Sequence, residues 1–599
     1  MLCIVVFELF VQCWAKNATK SRFKASERYT LQTIIMKRLL LSICFLFILS
    51  EVSSQTANFE WASPLAGPGN EQGSAIVVEP VSANVYCIGT FQSVVDFDPG
   101  AGIYNLSSAG DYDISITKLS PSGDLIWAKS IGSTGTDYGY DIDVDHGGNI
   151  YVTGRFTGTV DFDPNGGTTN LTSYGDGDIF ICKYSSAGNL VYAKQFGGPY
   201  LDEGHSLVVD ANSNVYATGD FDIVADFDPT GGTYTLNGLS CTNLYVVKLG
   251  TDGNMLWAKN TSGPGQGFSI ALDNSGYVVT TGPFYGTMDF DPTAATDNLT
   301  SFGEFDIFLW KLDAVGNHVW VKQMGSDNAG GGFDCGNGVA IDGSGNIYST
   351  GFFIGTADFD PGPATFNLTA GNYDAYISKL DQDGNFVWTK NITGFNAERG
   401  FAIDVDSDGS VYTTGDFIGT ADFDPGAGTH NISSTWSANM MFIHKLDSAG
   451  NFVWAQEIGG NGIGYDVQLD FEKSIYITGI YYYGTADFDM GPGTDSITAV
   501  GANDGLVYKM SQGFIGINEV MDETEVLTFP NPTVQIINIE SEFEITDIKL
   551  TNSSGEFLQP VMNLNLNQAK VDLSNLPKGV YILQIKTTKG AATRKIVKE

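Results

Sequence analysis

From about residue 59 to residue 512 the apolar positions come in short bursts rich in Val, Ile, Tyr, Phe and Trp. The bursts have the length and composition of β-strands. In one stretch they are Tyr140–Asp145, Ile150–Gly154, Asp178–Lys183 and Leu190–Lys194. Tight polar turns, His146–Asn149 and Ser186–Asn189, separate the first from the second and the third from the fourth. Gly-Asn in such turns supplies the positive φ of a short hairpin. The pattern predicts a four-stranded antiparallel meander.

The meander recurs. Asp-Phe-Asp-Pro begins at Asp96, Asp161, Asp226, Asp289, Asp358 and Asp422, and Asp487-Phe-Asp-Met490 makes a seventh copy. Successive copies are 65, 65, 63, 69, 64 and 65 residues apart. Repeated four-stranded meanders at a fixed period predict a β-propeller. The strand carrying Trp-Ala-Lys or its variants recurs at Trp127, Tyr192, Trp257, Trp320, Trp388 and Trp454, and also at Trp61, ahead of the first full unit. The last unit stops after its third strand, Gly505–Lys509. Phe59–Leu65 is therefore expected to supply the missing fourth strand, closing seven blades and removing two exposed sheet edges.

The runs Gly-Asn-x-Tyr-x-Thr-Gly, Asp-x-Phe-x-x-Lys-Leu-Asp and Gly-Asn-x-x-Trp resemble the bacterial β-propeller repeat family called SBBP. The resemblance covers about Asn58 to Gln512. It implies the fold and is silent on activity, because propellers host unrelated functions.

Both ends read differently. Met36-Lys-Arg38, the apolar run Leu39–Leu49 and the small polar residues to Gln55 have the three regions of a secretory signal peptide. Residues 1–35 fit neither a leader nor a domain and are expected to be an upstream artefact, with translation starting at Met36. No Cys directly follows the apolar run, which argues against a lipid anchor there. After Ile517 the glycines thin out. Phe529-Pro-Asn-Pro532, Leu576–Ile585 and Lys595–Lys598 resemble the C-terminal sorting domain of the type IX (Por) secretion system, a small immunoglobulin-like β-sandwich. That resemblance implies export, secretion machinery as a partner, and a destination outside the cell or on its surface. The expected domains are a leader at 36–55, a propeller at 56–515 and a sorting domain at 516–599.

Charge narrows the function. With 30 Lys+Arg against 69 Asp+Glu the formal net charge is −39, which excludes nucleic-acid phosphates as partners and disfavours anionic membranes. No apolar run reaches the ~20 residues of a spanning helix. Cys87, Cys182, Cys241 and Cys335 lie at unlike positions of the repeat with no zinc spacing; a Cys241–Cys335 disulfide is left open. A monomer is expected.

Loop parity puts every tight turn on one face of the disc and every Asp-Phe-Asp-Pro connection on the other. Ligands are expected on the long-connection face or at the central channel. Two aspartates at i and i+2 on extended backbone point the same way, so Asp96/Asp98, Asp161/Asp163, Asp226/Asp228, Asp289/Asp291, Asp358/Asp360 and Asp422/Asp424 are candidate Ca²⁺ ligands. Sevenfold regularity favours a competing reading, in which these residues are turn chemistry and Phe packs between blades. Calcium is the one cofactor the sequence offers. A glycine precedes the first strand of each unit: Gly73, Gly139, Gly204, Gly267, Gly338, Gly400 and Gly464. The residues around it vary, making Glu71, Asp137, Asp202, Glu203, His205, Glu398 and Arg399 candidate ligand-rim residues.

Catalytic signatures are scarce. The Asp-x-x-Gly-Asn-x-x-Trp turns resemble sialidase Asp-boxes lengthened by one residue, but the repeats hold only Arg155 and Arg399 against the arginine cluster a sialidase needs. The five histidines show no metal-pair spacing, and no Gly-x-Ser-x-Gly elbow occurs. The expected function is a non-catalytic binding module for an extracellular glycan or protein. The alternative is a polysaccharide hydrolase or lyase using rim carboxylates, with or without Ca²⁺.

Overall fold

The computed structural model describes residues 55–514 except 240–241, 328–331, 435–438 and 492, together with 526–598 except 530–532, 534, 542, 544, 553–556, 559–560, 566, 575, 577 and 588–590. The upstream segment, the leader as far as residue 54, and Cys241 lie outside the described residues. Among those described, the chain is all β, with antiparallel sheets and no helix. Among the described residues no helix is long and apolar enough to cross a membrane.

The repeat folds as the meander the turns dictate. In the second unit the strands Tyr138–Val144, Ile150–Phe156, Asp178–Tyr184 and Leu190–Phe196 pair in sequence order. Where a tight turn opens with an aspartate, that residue closes it. Asp145 Oδ1 accepts the amides of Gly147 and Asn149, both at 2.9 Å. Gly148, at φ 75°, takes the left-handed position that a Cβ would strain. The second and third strands are almost wholly buried, as expected of strands packed on both faces.

Between the second and third strands a small outer hairpin projects, Thr159–Asp161 paired with Asn170–Thr172 in this unit. Asp-Phe-Asp-Pro sits at its end. The motif's phenylalanine turns back onto the sheet: Phe162 is fully buried, with Phe156 and Phe180 at 5.3 and 5.2 Å. Phe97, Phe227, Phe290, Phe359, Phe423 and Phe488 are buried in the same way.

Neighbouring units are joined by the same contacts. First strands pack on first strands from Gln72–Val78 round to the Gly462–Leu469 part of the long strand Phe452–Leu469, which in turn packs against Gln72–Val78. Asp141 Oδ2 accepts the Leu207 amide, Asp143 Oδ2 that of Val209, and Asp404 Oδ2 that of Leu469. Asp466 Oδ2 accepts the Ile76 amide, tying the last unit to the first. Burial pushes Asp141 up to about 6 and Asp143 and Asp404 up to about 7, and holds Asp466 well above the ordinary carboxylate range, with Asp141 next to it adding to the effect.

A second tie lies further out. Lys118 Nζ and Trp127 Nε1 both donate to the Ser186 carbonyl of the next unit; Lys248 and Trp257 do so to Ala314, and Lys379 and Trp388 to Ser448. In the last unit the lysine is Lys509 and the tryptophan is Trp61, both donating to the Pro121 carbonyl of the first unit, at 3.3 and 3.0 Å. Trp61 belongs to Gln55–Leu65, which pairs with Asn503–Phe514. The N-terminal strand thus pairs with the last strand of the seventh unit.

One glycine of the predicted ring is corrected. In the fifth unit the register aligns Gly336, not Gly338, opposite Gly351, with the bulge that follows this glycine in its counterparts. The reason for glycine is close packing: a Cβ on Gly336 would fall 2.3 Å from Thr281 Oγ1 of the preceding unit, and one on Gly73 2.0 Å from Thr478 Oγ1.

In the C-terminal piece, Val526–Phe529, Ile536–Ser541, Gln568–Asp572 and Val561–Asn565 form one four-stranded sheet. Phe557–Leu558, Ile545–Asn552, Gly579–Thr587 and Ala591–Lys598 form another. Ile537, Ile539 and Val571 share a core with Leu550, Leu583 and Ile596.

Candidate functional site

The long-connection end of the first two strands is where the units differ most. Three positions recur there: the residue before the glycine, the residue after it, and the residue facing the former on the second strand. They read Gln72, Ser74 and Thr90 in the first unit, then Tyr138, Tyr140 and Arg155, then Glu203, His205 and Asp220. The fifth, sixth and seventh units have Cys335, Asn337 and Phe352; Arg399, Phe401 and Asp416; and Ile463, Tyr465 and Ile480. The surrounding frame hardly changes, so this variation is not needed by the fold.

The side chains form a continuous arc. Tyr112 stacks on Tyr138 at 5.5 Å, and Tyr138 on Tyr140 at 5.8 Å and an interplanar angle of 3°. Tyr140 meets His205 at 5.4 Å, and His205 meets Phe268 at 5.3 Å. The Arg155 guanidinium lies over the Tyr138 ring at 4.8 Å and donates to Glu203 Oε1 at 2.9 Å. Tyr140 Oη donates to the same oxygen at 2.8 Å. His205 Nε2 and Asp220 Oδ1 are 2.8 Å apart, and Asp220 holds the imidazole pKa above its ordinary value despite burial.

At the Tyr112 end the arc borders a cleft of about 200 Å³. Its walls include Tyr112, Tyr138, Asn70, Gln72, Asn503 and Glu71, from the first, second and last units. The cleft is thus lined by residues from both ends of the repeat array. Asn70 Nδ2 donates to Gln92 Oε1 at 2.9 Å, which fixes one amide plane.

The predicted rim residues divide into two groups. Glu71, Asp137, Asp202 and Glu398 point inward and are buried. Asp137 accepts the Ser133 and Thr157 amides, Asp202 those of Gly198 and Asp222, and Glu71 that of Gly67. These three brace the connection from the preceding unit. Burial pushes Glu71, Asp202 and Glu398 up to about 8, with Asp504, Asp178 and Asp374 as like-charged neighbours adding to it. His205 and Arg399 instead face the mouth, the latter in a two-pronged pair with Asp416 at 3.0 and 2.7 Å. Tyr112, Tyr138, Tyr140, Arg155, Asp220 and Phe268 escaped the sequence reading. The signal was present in the residue after each second-strand glycine: Gly154-Arg155, Gly219-Asp220 and Gly415-Asp416.

The loop aspartates occupy the outer hairpins, in separate units. Asp96, Asp161, Asp226, Asp289, Asp358 and Asp422 each accept on Oδ1 the amide two residues on at 3.0–3.1 Å. The same oxygen takes the amide eight residues on at 2.8–2.9 Å. Asp98, Asp163, Asp228, Asp291, Asp360 and Asp424 each accept a further amide at 2.8–2.9 Å. Among the described residues none of the twelve belongs to a group of three His, Cys, Asp or Glu side chains near enough to share an ion; Glu203, His205 and Asp220 do form one.

Residues 527–599 match the family model described as a secretion system C-terminal sorting domain. The tail is an export address. The protein is secreted or displayed at the cell surface, and the type IX secretion machinery is its partner in transit. Over 513 residues the chain is 25% identical to an uncharacterized WD repeat-containing protein of Acanthamoeba polyphaga mimivirus, covering 73% of this chain and 37% of that protein. It is 23% identical over 332 residues to the regulatory protein FlaEY of Caulobacter vibrioides, covering 51% and 33%. The chain thus spans about a third of the length of these curated relatives. Among solved structures it is similar to PorZ, an essential bacterial surface component of the type IX secretion system of Porphyromonas gingivalis. There the identity is 11%, coverage 90% and 100%, and the TM-score 0.16, too low to inform function.

Proposed function

We propose that the chain is a seven-bladed β-propeller of SBBP type at residues 56–515, closed by its N-terminal strand, with an immunoglobulin-like sorting domain at 516–599. In this reading the propeller is a non-catalytic module that binds an extracellular glycan at the mouth of its long-connection face. Closure is supported by Trp61 and Lys509 sharing the Pro121 carbonyl, the contact that joins successive units elsewhere. The binding role rests on the arc Tyr112–Tyr138–Tyr140–His205–Phe268 beside an amide-lined cleft. Aromatic faces take the apolar faces of sugar rings, and fixed amides and carboxylates take their hydroxyls. The strong negative charge favours neutral over anionic polysaccharide.

Binding to a panel of neutral and acidic polysaccharides tests this directly. Retention on a neutral glycan, lost in Tyr138→Ala, supports it; retention by a protein ligand alone turns the module into a protein receptor. A hydrolase or lyase is the second reading, favoured by Glu71 at the cleft with its pKa pushed up to about 8 by burial and Asp504. Turnover of a polysaccharide, abolished in Glu71→Gln, would replace the first reading by the second. Calcium at the outer hairpins is the remaining candidate cofactor role, tested by unfolding with and without the ion.

A further inference from the structure

We propose that Glu203, His205 and Asp220 bind one divalent transition-metal ion, of the zinc, cobalt or manganese kind, at the channel mouth. Each offers a ligand atom within 4.8 Å of the other two. Glu203 and Asp220 are register partners on adjacent strands, and His205 follows across the bulge at Gly204. All three therefore stand on rigid sheet rather than on loops, which is what a metal site needs for fixed geometry.

The residues around them hold each ligand in place. Tyr140 Oη and Arg155 Nη1 both donate to Glu203 Oε1 and so orient that carboxylate. Gln266 Nε2 donates to Asp220 Oδ1 at 3.2 Å. The imidazole is held between the Tyr140 and Phe268 rings. Such outer partners commonly decide metal affinity. Without metal, His205 Nε2 and Asp220 Oδ1 meet each other at 2.8 Å, a hydrogen bond the ion displaces. Glu203 and His205 are half-buried and Asp220 is buried, so the ion is reached from the mouth. One nitrogen and two carboxylate donors favour a borderline metal over Ca²⁺ or Mg²⁺, which take oxygen. In the first, second, fifth, sixth and seventh units the three positions never carry three such donors together. Three protein ligands leave coordination positions that water or ligand hydroxyls fill.

The test is calorimetric titration of Zn²⁺ into the untagged, chelator-treated full chain, with Co²⁺ absorption as a second readout. One ion per chain with a dissociation constant in the micromolar range or tighter is expected. His205→Gln and Asp220→Asn should each weaken binding about 100-fold, and Gln266→Ala about 10-fold. The loop pair Asp161→Asn/Asp163→Asn should leave it unchanged. Absence of saturable binding, or equal binding by His205→Gln, overturns the proposal. Melting curves of the variants separate lost ligation from lost folding. Should His205→Gln not fold, Tyr140→Phe and Gln266→Ala carry the test, and unchanged affinity in both overturns it.

Discussion

The outer hairpins and the aromatic arc both lie on the long-connection side, but they follow opposite rules. At the hairpins the same residues return in unit after unit, and their carboxylates close their own backbone turns. At the mouth the backbone repeats while the side chains change from Gln72 and Ser74 to Tyr138 and Tyr140 to Glu203 and His205. Identity across repeats marks what every blade needs in order to fold. Departure from it marks what the molecule as a whole does with one particular sector.

Four experiments would break or sharpen that division. The largest effect is expected on deleting residues 55–65. That removes the strand paired to Asn503–Phe514, and cooperative unfolding should be lost or shifted far down in temperature. A deletion variant melting like the full chain would show that the ends do not depend on each other. Next, Phe162→Ala empties a fully buried site and should cost about 3–5 kcal/mol in denaturant unfolding. Tyr138→Ala should cost far less stability, because Tyr138 is half-buried, yet reduce ligand affinity about tenfold or more. If Tyr138→Ala destabilised as much as Phe162→Ala, the mouth would be framework as well.

The third experiment is a pH series. Glu71, Glu398, Asp143 and Asp404 titrate higher in the folded chain, at about 7–8, than a carboxylate does unfolded. Between about pH 4 and 8 the folded chain therefore binds protons that the unfolded chain has released, and stability falls as pH rises through that window. The melting temperature should be lower at pH 8.5 than at pH 5; the reverse order would place these groups ionised in the fold. The smallest effect is expected for Asp163→Asn, which keeps an amide-accepting oxygen and should stay within about 0.5 kcal/mol. Millimolar Ca²⁺ sharpens this point. A melting rise of several degrees, lost in Asp161→Asn/Asp163→Asn, would make the hairpins ion sites and give their regularity a second cause.

The sequence made the repeat legible because strands, turns and period are local signals: Gly-Asn turns, Trp-Ala-Lys strands and a motif every 65 residues or so. It also pointed to the pairing of Gln55–Leu65 with Asn503–Phe514, since one unit lacked a strand and one strand lacked a unit. The inward or outward direction of single residues was not legible. Glu71 and Gln72 are neighbours in sequence, yet Glu71 is buried with an oxygen on the Gly67 amide while Gln72 begins the strand and pairs with Thr90. A bulge explains the displaced glycine of the fifth unit, where Gly336 and Gly338 both fit the pattern and register selects the first. Arg155 and Asp220 were invisible for a related reason. Their partners sit on another strand, 48 and 15 residues away.

The pairing of Gln55–Leu65 with Asn503–Phe514 also has a consequence in time. Among the described strands of the repeat array, Gln55–Leu65 is made first, and its partner emerges roughly 440 residues later. At about 5–20 residues per second that delay is tens of seconds. Through it the chain carries an apolar edge, Phe59 and Trp61 included, with nothing to pair with. The slowest folding step is expected to be the joining of the two ends of the repeat array.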